Sequence, residues 1–218
     1  MHEEQKEMFA RAYRTGTDLW THLPLAKARN EFLALLSPNA LVLDVGAGRG
    51  LWARTLIEAG MRVLGLEYVG EQVEKNNSEI KNKGWQTRAR FVEADALNIP
   101  FTDASFDAVT DIGLLQHMGP QEIPKLVQEI IRVVKPNGIV LLTTLSKETL
   151  TYLDWHPKAS ATGFFSKDGI QYYFASFEEI ADLFKDSFDV VAYENELLED
   201  GHVQYHHFIM KRKYYAHH

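Results

Sequence analysis

The stretch LVLDVGAGRG, from Leu41 to Gly50, sets Asp44 inside an apolar run and follows it with glycines at every second position, Gly46, Gly48 and Gly50. A strand that enters a glycine-rich turn ahead of a helix brings backbone N–H groups and a positive helix end to a ligand. A side chain larger than hydrogen would block that approach. Spacing narrows the ligand. A dinucleotide fold wants G-x-G-x-x-G, and its third small position falls here on Leu51; a phosphate loop wants Gly-Lys-Ser or Gly-Lys-Thr, and neither follows. Three more carboxylates stand on or just after later apolar runs, Glu67, Asp95 and Asp111, with His117 shortly beyond the last. Any of these alone is an ordinary solvated charge or loop hydrogen-bonding group. Their order along the chain is what needs a cause.

The elements that must position them alternate between strand-like and helical runs from about residue 41, the pattern of helices covering both faces of a mostly parallel sheet. ALVLDVG reads as a strand, and RGLWARTLIEAG as a helix with Leu51, Trp52, Leu56 and Ile57 at helical spacing and a stop at Gly60. MRVLGLE is a second strand ending on Glu67. GEQVEKNNSEIKNKG is a polar helix with Val73, Asn77 and Ile80 on one side and a stop at Gly84. ARFVEADALNIPF leaves its strand for a loop at Pro100, and FDAVTDIGLL is the fourth strand. IPKLVQEIIRVVKP is a helix ended by Pro136, and the Asn137-Gly138 turn leads into the fifth strand, IVLLTTL. Residues 148–175 then carry Tyr152, Trp155, Phe164, Phe165, Tyr172, Tyr173 and Phe174 without a steady period, and read as an irregular aromatic insertion. SFEEIADLF opens with the capping-box pair Ser176 and Glu179. DVVAYENELL and VQYHHFIMKRK, joined by Glu-Asp-Gly, form an antiparallel hairpin.

With the D-x-G-x-G-x-G loop closing the first strand, Glu67 ending the second, Asp95-Ala96 after the third and FDAVTDIGLLQHM at the fourth, residues 41–145 resemble the class I S-adenosylmethionine-dependent methyltransferases. That family commonly writes the last segment with a Leu-His-His ending. The resemblance implies an α/β three-layer sandwich: a seven-stranded, mostly parallel sheet with an antiparallel C-terminal hairpin and helices on both faces. It implies S-adenosyl-L-methionine as cofactor and S-adenosyl-L-homocysteine as product. Carried onto this chain, Asp44, Gly46, Ala47 and Gly48 would hold the methionine tail with Asp111 near its ammonium. Glu67 would accept from both ribose hydroxyls, and Tyr68 would lie against adenine. Asp95 and the Ala96 backbone N–H would read the adenine edge. His117 matches the second histidine of the pattern and is the nominee for catalytic base toward an amine or hydroxyl; a structural hydrogen-bonding role fits it equally. Gln116 replaces the first histidine and keeps hydrogen bonding without titration. In finer layout, QYYF before a helix and a histidine-rich last strand are similar to the small-molecule and tellurite-resistance-type branch.

Composition bounds the partners. The chain has 218 residues, 45% of them hydrophobic and 24% charged, enough for one core spanning 1–218. A formal charge of −7 supplies no broad basic field for a phosphate backbone, and the Asn-Pro-Pro-Tyr signature of nucleic-acid amino-methyltransferases is missing after the fourth strand. DNA is therefore not expected as partner, and a small-molecule N, O or S acceptor is. Residues 1–35, with Tyr13 and Trp20, form an N-terminal helical lid in this reading, and 148–175 a second cover; aromatic faces suit a planar or cationic acceptor. The absence of cysteine excludes disulfides, thiolate metal ligands and a cysteine nucleophile. His206 and His207 are adjacent on a strand and point to opposite faces, so no metal site is expected there. The charged N-terminus and the lack of a long apolar run predict a cytoplasmic protein without a membrane segment. The closing Tyr-Ala-His-His fits a natural end or a tag remnant. Two alternatives stay open: a protein or RNA acceptor reached through KNKGWQTRAR, and a non-catalytic module that binds the same cofactor.

Overall fold

The computed structural model describes residues 3–18, 26–149, 162–167, 169–198 and 201–214. Its frame is β1 (Leu41–Val45), β2 (Arg62–Glu67), β3 (Ala89–Glu93), β4 (Phe106–Ile112) and β5 (Val134–Leu145), completed by β8 (Phe188–Leu197) and β9 (Gln204–Arg212). These seven strands form one sheet in the order β3-β2-β1-β4-β5-β9-β8. Strands β1 to β5 pair in parallel, and β9 runs against both β5 and β8. Parallel strands are buried on both faces, which is why LVLDV is nearly all apolar: Val42 enters one core, Leu43 and Val45 the other. On the Val42 side, α2 (Ala26–Ala34), α3 (Leu51–Glu58) and α4 (Gly70–Asn82) contribute Phe32, Leu56 and Ile80. On the other, α5 (Ile123–Val133) and α6 (Phe177–Phe184) contribute Leu126, Ile130, Ile180 and Phe184. Trimming the fully buried Leu126 to alanine would cost about 2–5 kcal/mol.

The fold agrees with the sequence reading in order and refines it at three places. Helix α5 stops at Val133 rather than at Pro136. The rule that the residue ahead of a proline avoids helical angles acts on Lys135, and the chain is extended one residue earlier, at Val134, which pairs with Phe106 before a bulge restores register at Ala108 and Ile139. Asn77 does not pack as an apolar substitute. Its amide donates to the Phe91 carbonyl and accepts from the Phe91 N–H, both at 2.9 Å, so it caps the open side of edge strand β3. The aromatic segment is partly regular, and here the sequence reading is corrected: β6 (Phe164–Lys167) and β7 (Ile170–Tyr173) pair as an antiparallel hairpin, with Phe164 and Tyr173 stacked at 4.4 Å. Sequence periodicity missed it because the strands are only four residues long. Trp20, Tyr152, Trp155 and His156 lie outside the described residues.

Helix α1 (Glu3–Thr15) belongs to neither face; its Phe9, Ala10 and Tyr13 meet Val69, just past the end of β2. It therefore lies at the C-terminal ends of the parallel strands. There β1 connects outward to β2 on one side and neighbours β4 on the other, the switch point where open α/β sheets leave a crevice. No helix among the described residues is long and apolar enough to cross a membrane.

Candidate functional site

At the switch point, β1 leads into a turn in which Gly46, Gly48 and Gly50 all take positive φ, 71°, 51° and 69°. Their neighbours differ. A Cβ built on Gly48 would stand 3.3 Å from the Tyr13 hydroxyl, and one on Gly46 would strike Leu114 at 2.9 Å. Gly50 instead faces Phe91 of the core at 2.8 Å, so this glycine serves packing and the left-handed entry into α3. The Ala47 N–H is tied to the Leu66 carbonyl at 2.9 Å, which locks the loop against β2.

Three buried carboxylates converge beside this loop. Asp44 is 2% exposed; its Oδ1 accepts from the Thr110 hydroxyl at 2.8 Å, and Oδ2 has no hydrogen-bond partner among the described residues. Asp111, fully buried, accepts from the Leu114 and Leu115 N–H groups at 2.8 and 3.2 Å. Glu67 accepts from the Gly48 and Val69 N–H groups, each at 2.9 Å, and from Tyr13. Burial pushes the Asp44 and Asp111 carboxyls up to about 7, and Asp44 is raised further by repulsion from Asp111 and Glu67. Burial also raises Glu67, against the pull of its backbone donors. The donors named are backbone N–H groups and hydroxyls, so the cluster gathers negative charge without a countercharge. A cationic ligand fits it, and it would restore full ionisation.

The remaining predicted contacts lie along the same edge. Tyr68, two-sided in principle, carries the Lys6 ammonium over its ring at 4.4 Å, and its hydroxyl donates to Glu3 at 3.4 Å. Asp95 Oδ1 accepts from the Leu97 N–H at 2.9 Å and so shapes the turn that buries Ala96. Thus Asp44, Gly46, Ala47, Gly48, Glu67, Tyr68, Asp95, Ala96 and Asp111 all sit at or just beyond the C-terminal ends of β1 to β4.

His117 lies on the other side of Leu114, in a 3₁₀ turn spanning Leu115–His117. Its Nδ1 meets the Gln171 carbonyl at 2.9 Å; a carbonyl only accepts, so Nδ1 carries the proton. Nε2 is then the acceptor for the Gln116 amide at 3.3 Å, which leaves Gln116 Oε1 buried with no partner among the described residues. Burial pushes the imidazole down to about 4, so it is neutral at physiological pH. Phe9 and Tyr172 meet the ring edge-on at 5.5 and 5.2 Å, and Gln5 donates to the His117 carbonyl at 2.8 Å. The histidine therefore joins α1, the β4 exit and the β6–β7 hairpin.

Sequence reasoning missed several participants. Asn76 donates to the Gly48 carbonyl and is itself held by Gln72, both at the inward face of α4. Arg49 grips Asp18 and the Tyr13 carbonyl. The available signal was polar Gln72 and Asn76 at i, i+4 beside apolar Val73 and Ile80. His206 and His207 are both engaged, by Tyr193 and the Ala175 carbonyl and by Thr143 and Glu196 respectively.

Residues 42–138 match a family model described as a methyltransferase domain. Over 119 residues the chain is 30% identical to the probable tRNA methyltransferase 9B of Mus musculus, covering 54% of this chain and 24% of that protein. Over 112 residues it is 31% identical to a sterol 4-C-methyltransferase of Caenorhabditis elegans, covering 51% and 33%. The chain thus spans a quarter to a third of the length of these curated relatives. Its fold is similar to that of the Burkholderia thailandensis 1,6-didemethyltoxoflavin-N1-methyltransferase, solved with 1,6-didemethyltoxoflavin and S-adenosylhomocysteine. The TM-score is 0.81 at 22% identity, over 96% of this chain and 88% of that one.

Proposed function

We propose that the protein, whose residues 42–138 match a methyltransferase-domain model, is a class I S-adenosylmethionine-dependent methyltransferase that binds S-adenosyl-L-methionine and methylates a small-molecule N, O or S acceptor. The observation that carries this reading is the buried cluster of Asp44, Glu67 and Asp111 around a glycine loop, with one carboxylate oxygen that has no hydrogen-bond partner among the described residues. Asp44 and Asp111 would hold the cationic end of the methionine tail. Glu67 would accept from the ribose diol, each such bond to a charged acceptor contributing roughly 1.5–3 kcal/mol. Bound there, the cofactor supplies a methyl group already activated on a sulfonium, so the chain's task is alignment and exclusion of water.

On the acceptor side, α1 and the β6–β7 hairpin act as the cover, with Phe9 and Tyr172 offering aromatic edges and faces. His117 serves in this reading as a positioning residue, since both ring nitrogens are engaged and the ring is neutral. A small acceptor is favoured over RNA by the place of Lys81, Lys83, Arg88 and Arg90. They stand at the end of α4 and the start of β3, the opposite end of the sheet from the carboxylates.

Incubation with methyl-labelled cofactor and fractionated cell extract tests the acceptor. Label in the small-molecule fraction is expected; label in protein or RNA would replace the acceptor class, and cofactor binding without transfer would leave a binding module.

A further inference from the structure

Between Gly48 and Glu67 the cofactor crevice is not bounded by the sheet alone. Tyr13, from α1, places its hydroxyl 3.3 Å from where a Gly48 side chain would begin, and the same hydroxyl hydrogen-bonds Glu67. The loop's own Arg49 fixes that tyrosine. Its guanidinium donates from Nε and Nη2 to the two oxygens of Asp18, at 2.5 and 2.6 Å, and from Nη2 to the Tyr13 carbonyl at 2.8 Å. The guanidinium also sits 5.7 Å from the Tyr13 ring centroid. Asp18 is 5% exposed while the Arg49 side chain keeps 32% of its surface, so the carboxylate half of the pair is shielded from water and the bidentate geometry fixes their relative orientation. The glycine loop therefore holds the end of α1 by two residues, Tyr13 and Asp18.

The cofactor's charges give this arrangement a use. Its amino-acid tail is a zwitterion. Asp44 and Asp111 suit the ammonium, and for the same reason they repel the α-carboxylate, which needs a donor on the Gly48 side. We propose that Tyr13 is that donor, a binding residue for the cofactor's α-carboxylate, with Asp18 and Arg49 as the positioning pair that seats it. When the ribose diol donates to Glu67, the phenol is released from that carboxylate and turns to the tail. Helix α1 then belongs to the cofactor site as well as to the acceptor cover.

The proposal rests on the methyltransferase reading, and two ligands separate their failures. S-adenosylhomocysteine carries the amino-acid tail; 5′-methylthioadenosine keeps the nucleoside and lacks it. By calorimetry, Tyr13→Phe should weaken S-adenosylhomocysteine about tenfold, the effect of one charge-assisted hydrogen bond, and leave methylthioadenosine unchanged. Asp18→Asn, which keeps the phenol, should show the same selectivity at about threefold, and Asp18→Glu should recover most of it. Equal weakening of both ligands would assign Tyr13 to the general architecture and overturn the proposal. So would an unchanged affinity for S-adenosylhomocysteine. If the unaltered protein binds neither ligand, the cofactor assignment itself fails. Should Tyr13→Phe not fold, as judged by its melting transition, the two Asp18 variants decide.

Discussion

On the glycine-loop side of Leu114 the buried polar groups are carboxylates held by backbone N–H groups and hydroxyls; on the His117 side they are neutral and bonded mostly to one another. Among the described residues no cation pairs with Asp44, Glu67 or Asp111, and Asp44 Oδ2 has nothing to accept from. His117 has Gln171 on one nitrogen and Gln116 on the other, with Gln5 on its carbonyl. The first region gathers three buried carboxylates, and the second is a network of neutral groups. Substitutions in the first should therefore change affinity, and those in the second should change how firmly the cover is seated.

The largest break in that contrast should come from Glu67→Ala, which removes the acceptor for two ribose hydroxyls and the anchor of the Gly48 N–H. S-adenosylmethionine should bind at least tenfold more weakly in calorimetry; unchanged affinity would sink the assignment of the carboxylates.

Next is pH. Asp44 and Asp111 sit near 7 in the free protein and must ionise to hold a cation, so S-adenosylhomocysteine should bind more tightly at pH 8 than at pH 6 by about tenfold for each carboxyl that ionises, with proton release on binding below pH 7. The same groups set the stability of the free protein. Their folded pKa lies above the unfolded one, so their contribution is fully present below about 4 and is lost as pH rises through about 7. His117 and His207 are both lowered to about 4 and act oppositely, but only below about 6.5. From pH 6.5 to 8 the carboxylates act alone among these four. The melting temperature without cofactor should fall across that window, and saturating cofactor should flatten the fall.

On the other side of Leu114, His117→Ala should cost about 1–3 kcal/mol of stability by orphaning the Gln116 amide. S-adenosylhomocysteine affinity should stay within about twofold. The pH–rate profile between 6 and 8 should keep its shape, because the imidazole titrates near 4. A lost acid-side limb, the rise of rate with pH, would return His117 to the role of base. The smallest effect should be Asn77→Ala, about 1 kcal/mol from two exposed-edge hydrogen bonds, with no change in ligand binding.

Legibility followed the same divide. The cofactor edge was readable because each of its residues is fixed by a local element: Gly46 and Gly48 by the turn after β1, Glu67 by the end of β2, Asp95 by the turn after β3, Asp111 by β4. Apolar runs place those ends without any knowledge of long-range contacts. Tyr13 was readable only as part of a lid, and Asp18 and Asn76 were not readable as site residues, because what makes them so is contact across tens of residues. Asn76 reaches Gly48 from 28 residues away, and Arg49 reaches Asp18 from 31. The β6–β7 hairpin was hidden by strands too short to show a period. Gly50 was readable as the third glycine of the loop but not in purpose, since Phe91, which requires it, comes from another strand.

The sequence by itself determined an alternating α/β chain with an antiparallel end, a glycine loop whose spacing excludes dinucleotide and phosphate-loop chemistry, and an ordered set of acidic strand ends. Those follow from periodicity and local steric rules, which act over a few residues. Only the tertiary structure decided which carboxylates lose their water together, that His117 is a neutral joint between three elements, and that α1 is tied to the glycine loop through Tyr13 and the Arg49–Asp18 pair. Burial and charge coupling depend on distances between separate elements, and packing alone sets those distances.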